Sequence, residues 1–172
     1  MTIKKNDIIN LSNFVEKFTN FLMIHGKKMK AYTIFYESLN LLKKTKPKNF
    51  LELGNKEFSS QQKTSINFTT LHIVFQAVEN VKPNLEVRKV RIAGMTYQVP
   101  SLLSKKRQQT LAIRWIIDSA KKRKIHSKLS FSECLSQEIL DAYKKQGQAR
   151  QKRDELHKIA EANRAYIRYR WW

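Results

Sequence analysis

One cysteine, three prolines and four glycines are all that the 172 residues contain of each. A lone Cys134 rules out an internal disulfide and leaves no CxxC knuckle for a metal. It falls at helical spacing among apolar neighbours, so it reads as a packing residue. The scarcity of glycine and proline removes the turn punctuation that many short strands would need, and helices are expected to dominate. No apolar run approaches bilayer-spanning length, so a membrane role is not expected. Acidic residues are also few: 14 Asp+Glu stand against 34 Lys+Arg, a formal net charge of +20.

So large a charge of one sign repels itself in a compact chain, and a counter-charged partner is expected in the working form. The cations are spread along the sequence instead of being held in one tail, which implies a basic folded surface. Between Lys82 and His126 twelve Lys/Arg face two acids, Glu86 and Asp118. Lys and Arg neutralise phosphates and release counterions, so nucleic acid is the expected partner. For any single lysine a merely solvated position is the simpler reading; the whole distribution is what argues for binding.

Apolar periodicity predicts five or six helices and one β-hairpin. The first helix is expected to start near Asn13, with Glu16 as its capping-box partner, and to end at His25-Gly26. Phe14, Phe18, Phe21 and Leu22 share its face. A second runs from Lys27-Lys28 with Ala31, Ile34, Phe35, Leu39 and Leu42 as its stripe. Residues from about 43 to 67 show no clean period and read as a mobile connection or insertion. A third helix resumes near Thr69 and stops at Lys82-Pro83. The β-branched run Glu86 to Ile92, the turn Ala93-Gly94 and the run Met95 to Pro100 form a hairpin signature over about 85–100. Arg88, Lys89 and Arg91 charge both of its faces, so the ribbon should project into solvent or a partner.

A fourth helix is expected from Ser104 to Lys124, with Arg107, Arg114 and Lys121 recurring every seven residues along one basic edge. A fifth opens at Ser130 with Glu133 completing a capping box, and Gly147 is read as its end. The last runs from Ala149 to the C-terminus, with Leu156, Ile159, Ala160, Asn163 and Ile167 on one side. The fold class is therefore mainly α, a single domain over 1–172 with one extended, projecting hairpin.

Catalysis finds little support. The four histidines, His25, His72, His126 and His157, have no metal-ligand spacing among themselves or with Cys134. Asp154 and His157 are one helical turn apart, but no nucleophile or glycine-rich phosphate loop accompanies them, and an exposed ion pair is the better reading. No cofactor is expected. Aromatic residues interleave with the charges at Tyr97, Trp115, Tyr166, Tyr169, Trp171 and Trp172, where rings can stack on unpaired bases. Trp115 lies beside the apolar face of its helix and is expected to pack. Trp171 and Trp172 leave two readings open, contact with a partner or docking on their own core.

Four strings in register carry a resemblance. They are Ala77-Val-Glu-Asn-Val-Lys-Pro83 leading into Val90-Arg-Ile-Ala-Gly-Met-Thr-Tyr-Gln-Val-Pro100, then Arg107-Gln-Gln-Thr-Leu-Ala-Ile-Arg-Trp-Ile116. Lys152-Arg-Asp-Glu-Leu-His-Lys-Ile-Ala-Glu-Ala-Asn-Arg-Ala-Tyr166 follows, and Lys17-Phe-Thr-Asn-Phe-Leu-Met-Ile-His-Gly-Lys-Lys28 fits near the start. Together they resemble the bacterial-type protein seven family of the small ribosomal subunit. The Glu138-Ile-Leu-Asp-Ala-Tyr143 string and the closing Arg170-Trp-Trp look like its mitochondrial branch. Met1 to Asn10 lacks the character of a transit peptide or secretory signal. The Lys-, Asn-, Ile- and Phe-rich composition suits an AT-rich organelle genome. A mitochondrially encoded product of the matrix ribosome is therefore expected, with a plastid or bacterial cytoplasmic origin as the alternative.

The resemblance implies a helical domain that binds the 3′ major domain of small-subunit ribosomal RNA and nucleates assembly of the head. Its hairpin would lie near the messenger RNA exit and the exit-site transfer RNA, with head and platform proteins as neighbours and no self-association. It implies RNA contacts from Lys27, Lys28, Arg88, Lys89, Arg91, Arg107, Arg114, Trp115, Lys121, Arg123, Lys152, Arg153 and Arg164, with Gly94 at the hairpin turn. Met1 to Ser12 is only mildly basic where bacterial members carry a strongly basic arm, which puts contacts from that arm in doubt. Two readings from other classes compete: a DNA-binding regulator with a helix in the major groove, and a basic nuclease. No helix-turn-helix spacing supports the first, and no carboxylate cluster supports the second.

Overall fold

The computed structural model describes residues 5–45 and 64–172, with side chains from 11 and from 70 onward in the two stretches. Among the described residues the elements run α1 (Lys5–Leu22), α2 (Lys28–Lys44), α3 (Thr64–Val81), β1 (Leu85–Ile92), β2 (Met95–Leu102), α4 (Lys105–His126), α5 (Phe131–Tyr143) and α6 (Gln148–Ala162). A 3₁₀ turn, Arg164–Tyr169, follows. The expected architecture of a helical bundle with one antiparallel hairpin is what forms.

Helix α5 is the axis of the molecule, packed against α2, α3, α4 and α6. Its sequence suits that place. Ser132, Cys134, Leu135, Ser136, Glu138, Ile139 and Ala142 are all buried, so small residues let neighbours approach while Leu135 and Ile139 fill the space between them. Burying each of these two aliphatic side chains is worth about 1.5–3 kcal/mol. The helix starts as its sequence predicts. Ser130 Oγ accepts from the Glu133 N–H, and the Glu133 carboxylate accepts from the Ser130 N–H at 2.8 Å. A second apolar focus lies between α1, α2 and α3, where the Phe18 and Phe35 rings are 5.0 Å apart and Phe14 meets Phe75 edge-on at 5.6 Å.

Several boundaries differ from expectation. Helix α1 begins at Lys5 and runs through Asn13, so the Asn13–Glu16 pair lies within a helix and caps nothing. Both residues cost little inside a helix, and a capping pattern alone cannot stop one. The turn at His25-Gly26 does separate α1 from α2, with φ of 52° and 71°. Helix α3 starts at Thr64, so the connection read over 43–67 loses both its ends to helices; the remainder, 46–63, lies outside the described residues.

Gly147 also changes roles. It precedes α6 with φ 88° and ψ 170°, while α5 ends at Tyr143 and Lys145 takes the left-handed conformation after it. A Cβ on Gly147 would stand 2.9 Å from Asp141 Cβ and 3.2 Å from Glu138 Oε1, so both conformation and space require glycine here. Helix α6 stops at Ala162, and of the side read as apolar only Ala160 is buried; Ile159 and Ile167 are exposed.

Candidate nucleic-acid interface

Register fixes which hairpin residues share a face. Lys89 pairs with Gln98 and Arg91 with Thr96, so these four lie together, and all four are exposed. The opposite face carries Arg88, Val90, Tyr97 and Val99. That second face is partly covered: Arg88 is exposed, but Tyr97 is not. The 3₁₀ turn covers it, with Tyr97 5.0 Å from Tyr166 and 5.2 Å from Tyr169, and the last two rings stacked at 6.0 Å. At the tip, Ala93 and Gly94 both have positive φ, 46° and 84°, the tight turn that matches strand twist.

From the base of the hairpin a line of cations continues onto α4. Glu86 takes Arg88 Nε at 2.8 Å and lies 3.6 Å from Arg107 Nε, tying strand to helix. Arg107, Arg114 and Lys121 are exposed, as their spacing predicts. Fourteen residues of helix carry that edge about 21 Å, enough for several phosphates. Arg114 lies over the Phe21 ring of α1 at 5.1 Å, which holds its guanidinium at the α1–α4 seam. Nearby, Lys17 Nζ donates to Gln109 at 2.8 Å, and burial together with Lys82 and Lys106 lowers its pKa. Lys27 is exposed at the turn before α2, and Lys28 pairs with Glu16 at 3.2 Å beside the Tyr32 ring.

Three residues named for RNA contact have other work inside the fold. Arg123 reaches inward to Glu138 at 2.7 Å and Asp141 at 2.6 Å. Burial opposes its charge, but those two carboxylates outweigh burial and raise its pKa. Arg153 donates to the Lys82 carbonyl at 3.1 Å, and Arg150 to the Asn80 carbonyl at 2.7 Å, so α6 supplies two cations to the end of α3. Burial and the neighbouring Arg150 lower the Arg153 pKa. Trp115 packs against the core. Lys152 is half-buried and Arg164 is exposed.

The Asp154–His157 pair does not form as read. Asp154 pairs with Arg150 at 3.2 Å and Arg153 at 3.4 Å, while His157 Nε2 accepts from the Asn84 backbone N–H at 3.3 Å. Sequence reading noted Arg168 and Arg170 but did not name them among the RNA contacts; both are exposed, as is Trp171, and the Arg-Tyr-Arg-Trp-Trp run was the available signal.

A cleft between α1, α2 and α3 is lined by Val15, Phe35, Tyr36, Leu39, Asn40, Lys43, Thr70 and Leu71, none of them an acid, histidine or cysteine. Among the described residues no three of His, Cys, Asp and Glu gather as metal ligands, and no helix is long and apolar enough to cross a membrane.

The family model described as ribosomal protein S7p/S5e matches residues 2–164. The small ribosomal subunit protein uS7m of Prototheca wickerhamii is 40% identical over 98% of this chain and 93% of its own length. The uS7m of Arabidopsis thaliana is 38% identical over 92% of this chain and 93% of its own. A bacterial relative, uS7 of a Nitratiruptor species, is 42% identical over 96% of this chain and 92% of its own. The chain belongs to the ribosomal protein S7p/S5e family, a family of structural ribosomal proteins and not of enzymes.

Proposed function

We propose that the chain is a structural constituent of the small subunit of a mitochondrial ribosome. It binds the 3′ major domain of the small-subunit RNA, nucleates assembly of the head, and sets its hairpin near the messenger exit and the exit-site transfer RNA. One copy works per subunit, beside head and platform proteins, in the matrix. The observation that carries this reading is the basic line from Arg88 at the base of the hairpin, through Arg107, Arg114 and Lys121 on α4, with Arg114 at the seam with α1, beside the exposed pair Lys89 and Arg91 on the hairpin's other face. Lys27, Lys28, Lys152 and Arg164 are further basic contacts of this reading. Such a line tracks a phosphate backbone and reads little sequence, which suits an irregular RNA fold. The mitochondrial names of several relatives support the compartment.

Density-gradient sedimentation of a mitochondrial lysate tests it, with fractions probed for this chain before and after ribonuclease. Co-migration with the small subunit, lost on ribonuclease treatment, is the expected result. A free or DNA-associated pool would overturn it.

A further inference from the structure

The aromatic end of the chain is not spent on the core. Trp171 is 82% exposed and Trp172 37% exposed. Their rings meet at 88° with centroids 5.7 Å apart, an edge-to-face contact that occupies at most one face of the Trp171 indole. Trp172 is itself held: Arg88 of β1 lies over its ring at 5.5 Å, and Arg170 Nε donates to its carbonyl at 3.3 Å. The turn before it is braced by the Tyr97–Tyr166–Tyr169 cluster. An exposed indole is thus carried on a support that ties β1, β2 and the 3₁₀ turn together.

Its surroundings select the partner. From Ala162 to Trp172 there are three arginines, Arg164, Arg168 and Arg170, and no acid. Glu86, a carboxylate at the base of the hairpin, is engaged by Arg88 and Arg107. A flat apolar ring among guanidinium groups matches a group with a π-face and an adjoining negative charge, which is what an unpaired nucleotide presents. An apolar protein partner would have to leave those arginines uncompensated in its interface.

We propose that Trp171 is a stacking platform for an unpaired base of RNA, with Arg168 and Arg170 meeting the flanking phosphates. This rests on the RNA-binding reading above and adds a base-contacting site to a surface otherwise made of phosphate contacts.

The test compares the affinity of the full chain for a short labelled oligoadenylate and for a short RNA duplex at matched salt. In Trp171→Ala, oligoadenylate binding falls about ten-fold while duplex binding and both salt slopes stay unchanged. Trp171→Tyr keeps a ring and restores most of the loss. An unaltered melting temperature confirms that both variants fold. Equal oligoadenylate affinity in Trp171→Ala and the parent, or an equal loss on both RNAs, overturns the platform and leaves the RNA-binding reading standing. A parent chain that binds neither RNA overturns both.

Discussion

The carboxylate of Glu138, fully buried, lies 2.7 Å from the guanidinium of Arg123. Its other oxygen accepts from the Ala149 N–H at 3.1 Å, in the first turn of α6. One acid therefore joins α4, α5 and α6, with its negative charge placed at a helix N-terminus, where it is favoured. Removing Glu138 leaves the buried Ala149 N–H without its acceptor and Arg123 with only Asp141 of its two carboxylates. Glu138→Ala should cost about 3 kcal/mol, and Glu138→Gln about 1–2 because an acceptor for Ala149 survives. Urea denaturation of the purified chain measures both. Two variants as stable as the parent would show that the pair is not needed.

Gly147 and Gly94 give a paired prediction. Both have positive φ, but Gly94 has open space around it, whereas a Cβ on Gly147 meets Asp141 at 2.9 Å. Gly147 also sits at φ 88°, ψ 170°, a region nearly confined to glycine. Gly94→Ala should cost about 1 kcal/mol and Gly147→Ala about 3. Equal losses in thermal denaturation would mean that the contact with Asp141 relaxes freely.

The α4 edge and Arg123 separate binding from folding. Alanine at Arg114 together with Lys121 should weaken RNA binding and flatten its log–log salt slope by about 1.4–1.8, the contribution of two phosphate contacts. Arg123→Ala should instead lower stability and leave the slope alone, since its guanidinium faces Glu138 and Asp141. If the double variant keeps the parent slope, the edge is not an RNA surface.

That contrast marks where sequence reading stopped. Spacing alone put Arg107, Arg114 and Lys121 on one exposed edge, and the Ser130–Glu133 cap was legible because its partners are three residues apart. Arg123 looked no different, because its carboxylates come fifteen and eighteen residues later on another helix. The Tyr97–Tyr166 contact joins residues far apart in the chain and leaves no local trace. Gly147 was assigned to the wrong helix for a related reason. A glycine in a short loop satisfies the sequence rule for ending one helix as well as it fits the start of the next.

His157 should make stability pH-dependent. Burial and the charge of Arg153 lower its folded pKa below the ordinary 6.5, with Asp154 opposing in part. The unfolded chain then binds the extra proton more readily than the folded one. The contribution is full above pH 6.5 and is lost as pH falls through the folded pKa. Protonation also ends the acceptance from the Asn84 N–H. Denaturation midpoints at neutral and mildly acid pH should converge in His157→Gln relative to the parent. An identical acid loss in both would assign it to other groups.

The cover that the 3₁₀ turn places on the hairpin also has a consequence in time. Tyr97 leaves the synthesising ribosome about seventy residues before Tyr166 and Tyr169. Through that interval Tyr97 lacks its cover while the helices α4 to α6 are still being made. The aromatic cover on the hairpin is thus completed last, and a chain interrupted before Arg164 carries a ribbon tied to α4 but with Tyr97 open.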